Sequence, residues 1–231
     1  MITVRHAQER GHANYGWLDT KYSFSFADYY DPKHMGFSAL RVINDDLIHP
    51  GAGFDTHGHR DMEIITYITS GSIEHKDSEG HIRVLPAGEF QLMSAGKGIY
   101  HSEYNASQTD ELTLLQIWIE PNSFGGKPGY QQKDFGRKAG LTTIATPTGE
   151  NGTLLIKQDA KLHQLILEPN SSLMYDVTLG RRVYVHQVSG ALLADSTQLI
   201  PGDGAKVEAQ DSIELTNNTH DTVVALVFDL P

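Results

Sequence analysis

The chain has 231 residues, a formal net charge of -11, twelve histidines and no cysteine. That length suits one large all-β domain or two of roughly 100–120 residues each. The acidic balance without any basic block lacks the electrostatic footprint of direct nucleic-acid binding, and the missing cysteines exclude disulfides, thiolate metal sites and cysteine nucleophiles. The start, MITVRHAQERGH, is polar where a signal peptide needs an apolar core, and no apolar run reaches the roughly 18–20 residues of a membrane span. A cytoplasmic protein without membrane contact is expected.

Taken in chain order, residues 1–38 hold an arginine-bearing start and the aromatic run YSFSFADYYDPKHMGF, whose Tyr22, Phe24, Phe26 and Tyr29 are spaced to cover a barrel. SALRVINDDLIHPGAGF predicts a strand around Leu40 and Val42, then a turn at Asn44-Asp45-Asp46 and a Pro-Gly approach to the first histidine pair. MEIITYITS is β-rich, SIEHKDSEGHIRVL reads as a hairpin turning at 78–80, and PAG at 86–88 opens the turn before EFQLMSA. ELTLLQIWIEP is an apolar strand stopped by Pro121. Short strands separated by frequent turn signals predict an all-β sandwich or barrel of antiparallel strands.

Residues 121–140 are rich in Gly and Pro and have no hydrophobic periodicity, so they are expected to link an N-terminal domain, 1–120, to a C-terminal one, 141–231. The halves echo each other. VYVHQVSGALL before LIPGDGAKV repeats the order of ITYITSGSIEH before VLPAGEFQL: apolar strand, Gly, second strand, Pro-x-Gly turn. The second copy has no paired histidines and no His-x-Glu, so it is expected to bind no metal in the same manner.

Two short runs carry the chemistry, THGH at 56–59 and YHSEYN at 100–105. In an extended strand residues two apart share a face, so His57 with His59, and His101 with Glu103, aim at a common point. Three imidazoles and one carboxylate suit a single divalent transition metal, whereas magnesium or calcium prefers mostly oxygen. Iron(II) is the first choice, with zinc, copper, nickel, cobalt and manganese compatible. Glu63 is a rival carboxylate, but on a straight strand it lies roughly 13 Å from His59. It is therefore read as a supporting or structural group. His6, His12, His34, His49, His75, His81, His163, His186 and His220 are read as surface or hydrogen-bonded core residues. Phe54, Met93, Ile99, Ile117 and Trp118 are candidates for a pocket wall.

The pattern Gly51-x5-His57-x-His59-x3-Glu63, then Gly71, and later Gly98-x2-His101-x3-Asn105, resembles the two motifs of the cupin superfamily. More narrowly, SFSFADYYDPKHMGFSALRVIN, HGHRDMEIITYITSGSIEHKDSEG and PAGEFQLMSAGKGIYHSEYN resemble the signature segments of the pirin family. There are three departures, the first two concerning turns and the third the first ligand strand. Gly71 comes one residue later than the general cupin spacing, Gly96 stands where that pattern has proline, and His57-Gly58-His59 replaces a frequent His-Pro-His. The resemblance implies a bicupin, two antiparallel β-barrels packed together, with a metal in the N-terminal barrel on His57, His59, His101 and Glu103. It also implies an activity, since pirin-like bicupins include quercetin 2,3-dioxygenases, which open the heterocyclic ring of a flavonol with O2 and release CO. Glu103 is then both ligand and catalytic base, and a monomer taking a small aromatic substrate is expected. The alternative implied by the family is a non-enzymatic metal- or redox-responsive binding protein with a regulatory protein partner.

Overall fold

The computed structural model describes residues 1–231, whose regular structure is β-strand apart from two single-turn 3-10 helices. No helix is long and apolar enough to cross a membrane. The chain forms two compact units, one of residues 11–136 with 156–158 and one of residues 1–10, 137–155 and 159–231.

In the first unit a seven-stranded sheet runs in the order Gly129–Asp134, Glu89–Ser94, Glu63–Ser70, Leu112–Ile119, Leu40–Ile48, Leu18–Tyr22, Gly11–Asn14. A four-stranded sheet, Gly53–His59, Ile99–Asn105, Ser72–Asp77, Ile82–Pro86, completes this barrel. Inward residues alternate with outward ones, as a pleated strand dictates. Ile48, Ile68, Leu112 and Leu114 form one apolar cluster, and Ile64, Met93 and Ile99 form another. Full burial of each such side chain contributes about 1.5–3 kcal/mol. Between these layers the register aligns one polar row: Asn44 stands opposite Gln116, Gln116 opposite Thr66, and Thr66 opposite Gln91.

The second unit repeats the plan with sheets of seven and four strands. A matched pair of asparagines marks the duplication. Asn105 Nδ2 donates to the carbonyls of Ile48, His49 and Asp110, and Asn217 Nδ2 donates to those of Leu167, Glu168 and Asp221.

Three expectations need correction. The Asn44-Asp45-Asp46 turn does not form, because Leu40–Ile48 is one continuous strand paired on both sides, and those ladders outweigh local turn propensity. The supposed linker contains the strand Gly129–Asp134, whose backbone pairs with Glu89–Ser94 despite the Gly and Pro around it. Residues 1–10 do not join the first barrel: Ile2–Arg5 pairs antiparallel with Gly204–Val207 in the second unit's large sheet. Gly96, where the cupin pattern has proline, has φ +49°, and a Cβ there would lie 2.1 Å from the Gly126 carbonyl oxygen. Only glycine fits so close an approach at that φ.

Candidate metal centre

Gly53–His59 and Ile99–Asn105 are antiparallel neighbours in the small sheet, with His57 directly opposite His101 and His59 opposite Ile99. The ladder register shifts between His101 and Glu103. Period-two alternation then turns His57, His59 and His101 into the barrel. Their rings converge: His101 Nε2 lies 3.0 Å from His57 Nε2 and 3.0 Å from His59 Nε2. His101 is buried, while His57 and His59 are half-buried at the mouth.

Hydrogen bonding fixes the tautomer of His57. His57 Nδ1 lies 2.7 Å from the Asp55 carbonyl, to which it donates its proton, leaving Nε2 with a lone pair. His101 points Nδ1 toward the buried His75 and Glu103, 3.5 Å from His75 Nδ1 and 4.0 Å from Glu103 Oε1, and turns Nε2 toward His57 and His59. With both nitrogens turned inward as lone-pair donors, a 3.0 Å separation is repulsive and a shared cation relieves it. That spacing is what two adjacent donors about 2.1 Å from one metal subtend at about 90°, and it is closer than tetrahedral donors would stand. Burial lowers the His59 and His101 pKa values to about 4, with neighbouring imidazoles adding to the effect, so both rings are neutral donors at pH 7. The donor set fits a divalent metal.

Glu103 is fully buried and lies beside this group, in a second cluster with His101 and His75. Its Oε1 accepts from Gln91 Nε2 at 3.3 Å and its Oε2 from Gln116 Nε2 at 3.1 Å. Each carboxylate oxygen keeps a further lone pair, so these amides orient the group without exhausting its capacity to coordinate. Burial pushes the Glu103 carboxyl up, but His75 and the field of the other imidazoles outweigh it and hold the pKa at about 2.

His75 is the site component the sequence reading passed over. It is completely buried, with Nδ1 3.5 Å from His101 Nδ1 and 3.9 Å from Glu103 Oε1. On its far side Nε2 donates to Asp77 Oδ2 at 3.0 Å, and the same carboxylate accepts from half-exposed His81. The signal was available as parity, since His75-x-Asp77 repeats the spacing of His101-x-Glu103 on the adjacent strand. Glu63 sits apart from this group, its Oε2 accepting from Ser94 Oγ and the Lys157 backbone N–H.

A cavity of about 230 Å³ opens onto the histidines. Phe26, Phe54, Ile64 and Trp118 form its apolar sides, and Asn44 and Asp46 contribute polar surface. Of the expected wall residues, Phe54 and Trp118 line it, while Met93 and Ile99 pack behind Ile64 and Ile117 is core on the other face of its strand. Trp118 makes edge contacts with Phe26 at 5.2 Å and His59 at 5.0 Å.

At the corresponding positions of the second barrel the donors are replaced. Register through the asparagine pair places Tyr175, Ala194, Ile213 and Leu215 where the first barrel has His57, His75, His101 and Glu103. All four belong to that barrel's apolar core.

Comparison with known proteins agrees with the two-barrel plan. Residues 3–119 match the Pirin family, and residues 143–230 match the quercetinase C-terminal cupin domain. The chain is 46% identical to a quercetin 2,3-dioxygenase of Escherichia coli (strain K12), covering 100% of this chain and 99% of that protein. It is 34% identical to the pirin-like protein YhaK of the same organism, covering 100% of both. Among solved structures, bacterial pirin YhhW from Escherichia coli in complex with nickel(II) superposes with a TM-score of 0.97 at 45% identity, covering 100% of this chain and 99% of that one. With its all-β duplicated barrel and the inward histidines of its first half, the chain belongs to the pirin family of the cupins.

Proposed function

We propose that this protein is a metal-dependent dioxygenase that opens the heterocyclic ring of flavonols such as quercetin. Dioxygen breaks the two bonds to the ring carbon bearing the 3-hydroxyl. Both its atoms enter the ring-opened ester, and that carbon leaves with its oxygen as CO. In this reading His57, His59, His101 and Glu103 hold one divalent metal, iron(II) by preference. The observation that carries it is the convergence of three imidazole nitrogens beside a buried carboxylate, at the wall of an apolar cavity of about 230 Å³. The name of the quercetin 2,3-dioxygenase relative supports the same reaction class, and the nickel(II) complex of bacterial pirin supports a divalent metal.

When bound, the metal supplies Lewis acidity and a template on which substrate and dioxygen meet. The remaining work falls to the chain. Glu103, ionised at neutral pH, accepts the 3-hydroxyl proton as the flavonol enters, and the Gln91 and Gln116 amides keep the carboxylate facing the cavity. Phe26, Phe54, Ile64 and Trp118 flank the flat rings and exclude water.

The test is anaerobic loading of the purified protein with iron(II), nickel(II), cobalt(II), manganese(II), copper(II) or zinc(II), followed by quercetin and then oxygen. Stoichiometric CO and the ring-opened ester are expected with at least one metal. Their absence with all six metals would make the chain a metal-binding protein without this activity.

A further inference from the structure

The strand Leu40–Ile48 turns Leu40, Val42, Asn44, Asp46 and Ile48 to one face. Leu40, Val42 and Ile48 are ordinary core residues, but Asn44 and Asp46 between them are 4% and 3% exposed and line the metal-site cavity. Neither Asn44 Oδ1 nor Asp46 Oδ1 has a hydrogen-bond partner in the protein. Trp118 Nε1, on the same cavity, is also unpartnered. Buried polar atoms are normally paired, and an unpaired one is less favourable than an apolar group of the same shape. Leucine at either position would continue the core. Two adjacent acceptors kept without partners at the wall of one cavity are arranged for a donor that arrives from outside.

We infer that Asn44 and Asp46 form a hydroxyl-recognition wall that selects polyhydroxylated aromatic substrates by accepting hydrogen bonds from phenolic groups away from the metal. The inference deepens the flavonol reading and rests on it for which ring faces the histidines. The geometry agrees with this division of labour. Phe26 and Trp118 flank the ring with apolar and edge contacts that any flat aromatic satisfies, so they give affinity without choosing among hydroxylation patterns. The unpaired polar atoms of the wall, the Asn44 and Asp46 oxygens beside the Trp118 indole N–H, carry that information, because an analogue lacking the hydroxyls leaves them buried and unpaired. Burial, opposed by the Thr20 hydroxyl on the paired strand and aided by Asp45 and Glu103, pushes Asp46 up to about 7, so at neutral pH its carboxyl is present in both forms and suits a weakly acidic phenol.

The experiment uses the metal-loaded full chain under anaerobic conditions, with quenching of tryptophan fluorescence as the readout. The probes are quercetin and 3-hydroxyflavone, which share the metal-facing 3-hydroxyl and differ in the remaining hydroxyls. The wild type is expected to bind quercetin at least about tenfold more tightly, the value of one or more good hydrogen bonds. In N44L and in D46L that ratio falls toward one, while the thermal midpoint stays level or rises because an unpaired buried polar group has been removed. A structural role would instead lower the midpoint and leave the ratio alone. The two variants are independent, so if one does not fold the other decides. Equal binding of both probes by the wild type, or a ratio unmoved in the folded variants, overturns the inference. Discrimination without any quercetin turnover would sink the dioxygenase reading and leave the recognition wall standing; turnover with an unmoved ratio would do the reverse.

Discussion

His75 stands directly opposite Glu103 across the antiparallel pair Ser72–Asp77 and Ile99–Asn105, with its Nδ1 3.9 Å from Glu103 Oε1. The same nitrogen lies 3.5 Å from His101 Nδ1, so one buried ring touches both an imidazole and the carboxylate of the candidate site. Asp77 fixes that ring from behind through Nε2. Groups in such positions hold metal ligands in their productive orientation.

His75→Phe keeps a ring of similar size and removes the polar contacts to Glu103, His101 and Asp77. Metal affinity is expected to fall about 10- to 100-fold, as for other lost supports of metal ligands. Competition with a chromogenic chelator measures this. An affinity within threefold of wild type would mean that His75 serves packing alone.

His57→Ala and His101→Ala each remove one of the converging nitrogens and are expected to leave the protein without stoichiometric metal. Elemental analysis of the purified variants gives the answer. Full metal content in both would overturn the ligand assignment.

Glu103→Gln separates coordination from proton transfer. The amide oxygen can still reach the metal, so metal content falls modestly, while flavonol turnover falls by roughly 10²–10⁴-fold, the usual contribution of a general base. Both quantities are measured on one preparation. Turnover within a few-fold of wild type would show that Glu103 is not the base.

Asn105→Ala strands three carbonyls that one side chain now satisfies, and Asn217→Ala does the same in the other unit. A loss of about 2–3 kcal/mol is expected for each. Urea denaturation tests this; a loss below about 0.5 kcal/mol in either variant would show that water replaces the amide without penalty.

His186 is fully buried, and burial, aided by the charge of Arg10, lowers its pKa to about 3. The folded pKa is below the unfolded one, so the unfolded chain binds a proton that the folded chain refuses. The stability contribution is therefore complete above about pH 6.5 and declines as pH falls toward 3, by up to about 1.4 kcal/mol per pH unit. His186→Leu should flatten the acid side of the stability profile over that window. An unchanged slope between pH 6 and about 4 in urea titrations would assign the acid sensitivity to other groups.

What the sequence determined by itself is what depends on local period and composition. Residues two apart share a strand face, so His57 with His59 and His101 with Glu103 were legible as same-face pairs. Turn residues and short apolar runs likewise announced the β architecture and its duplication. What only the tertiary structure decided is what depends on neighbours distant in the chain. Asn44-Asp45-Asp46 reads locally as a turn, yet ladders on both sides extend it and aim Asn44 and Asp46 into the cavity. Gly129–Asp134 reads as a linker, yet Glu89–Ser94 offers its backbone a partner. His75 is an unremarkable single histidine until strand order puts it across from Glu103. Ile2–Arg5 pairs with Gly204–Val207, about 200 positions away, because a sheet edge accepts whichever strand can satisfy its N–H and C=O groups, and that choice is written in no local pattern.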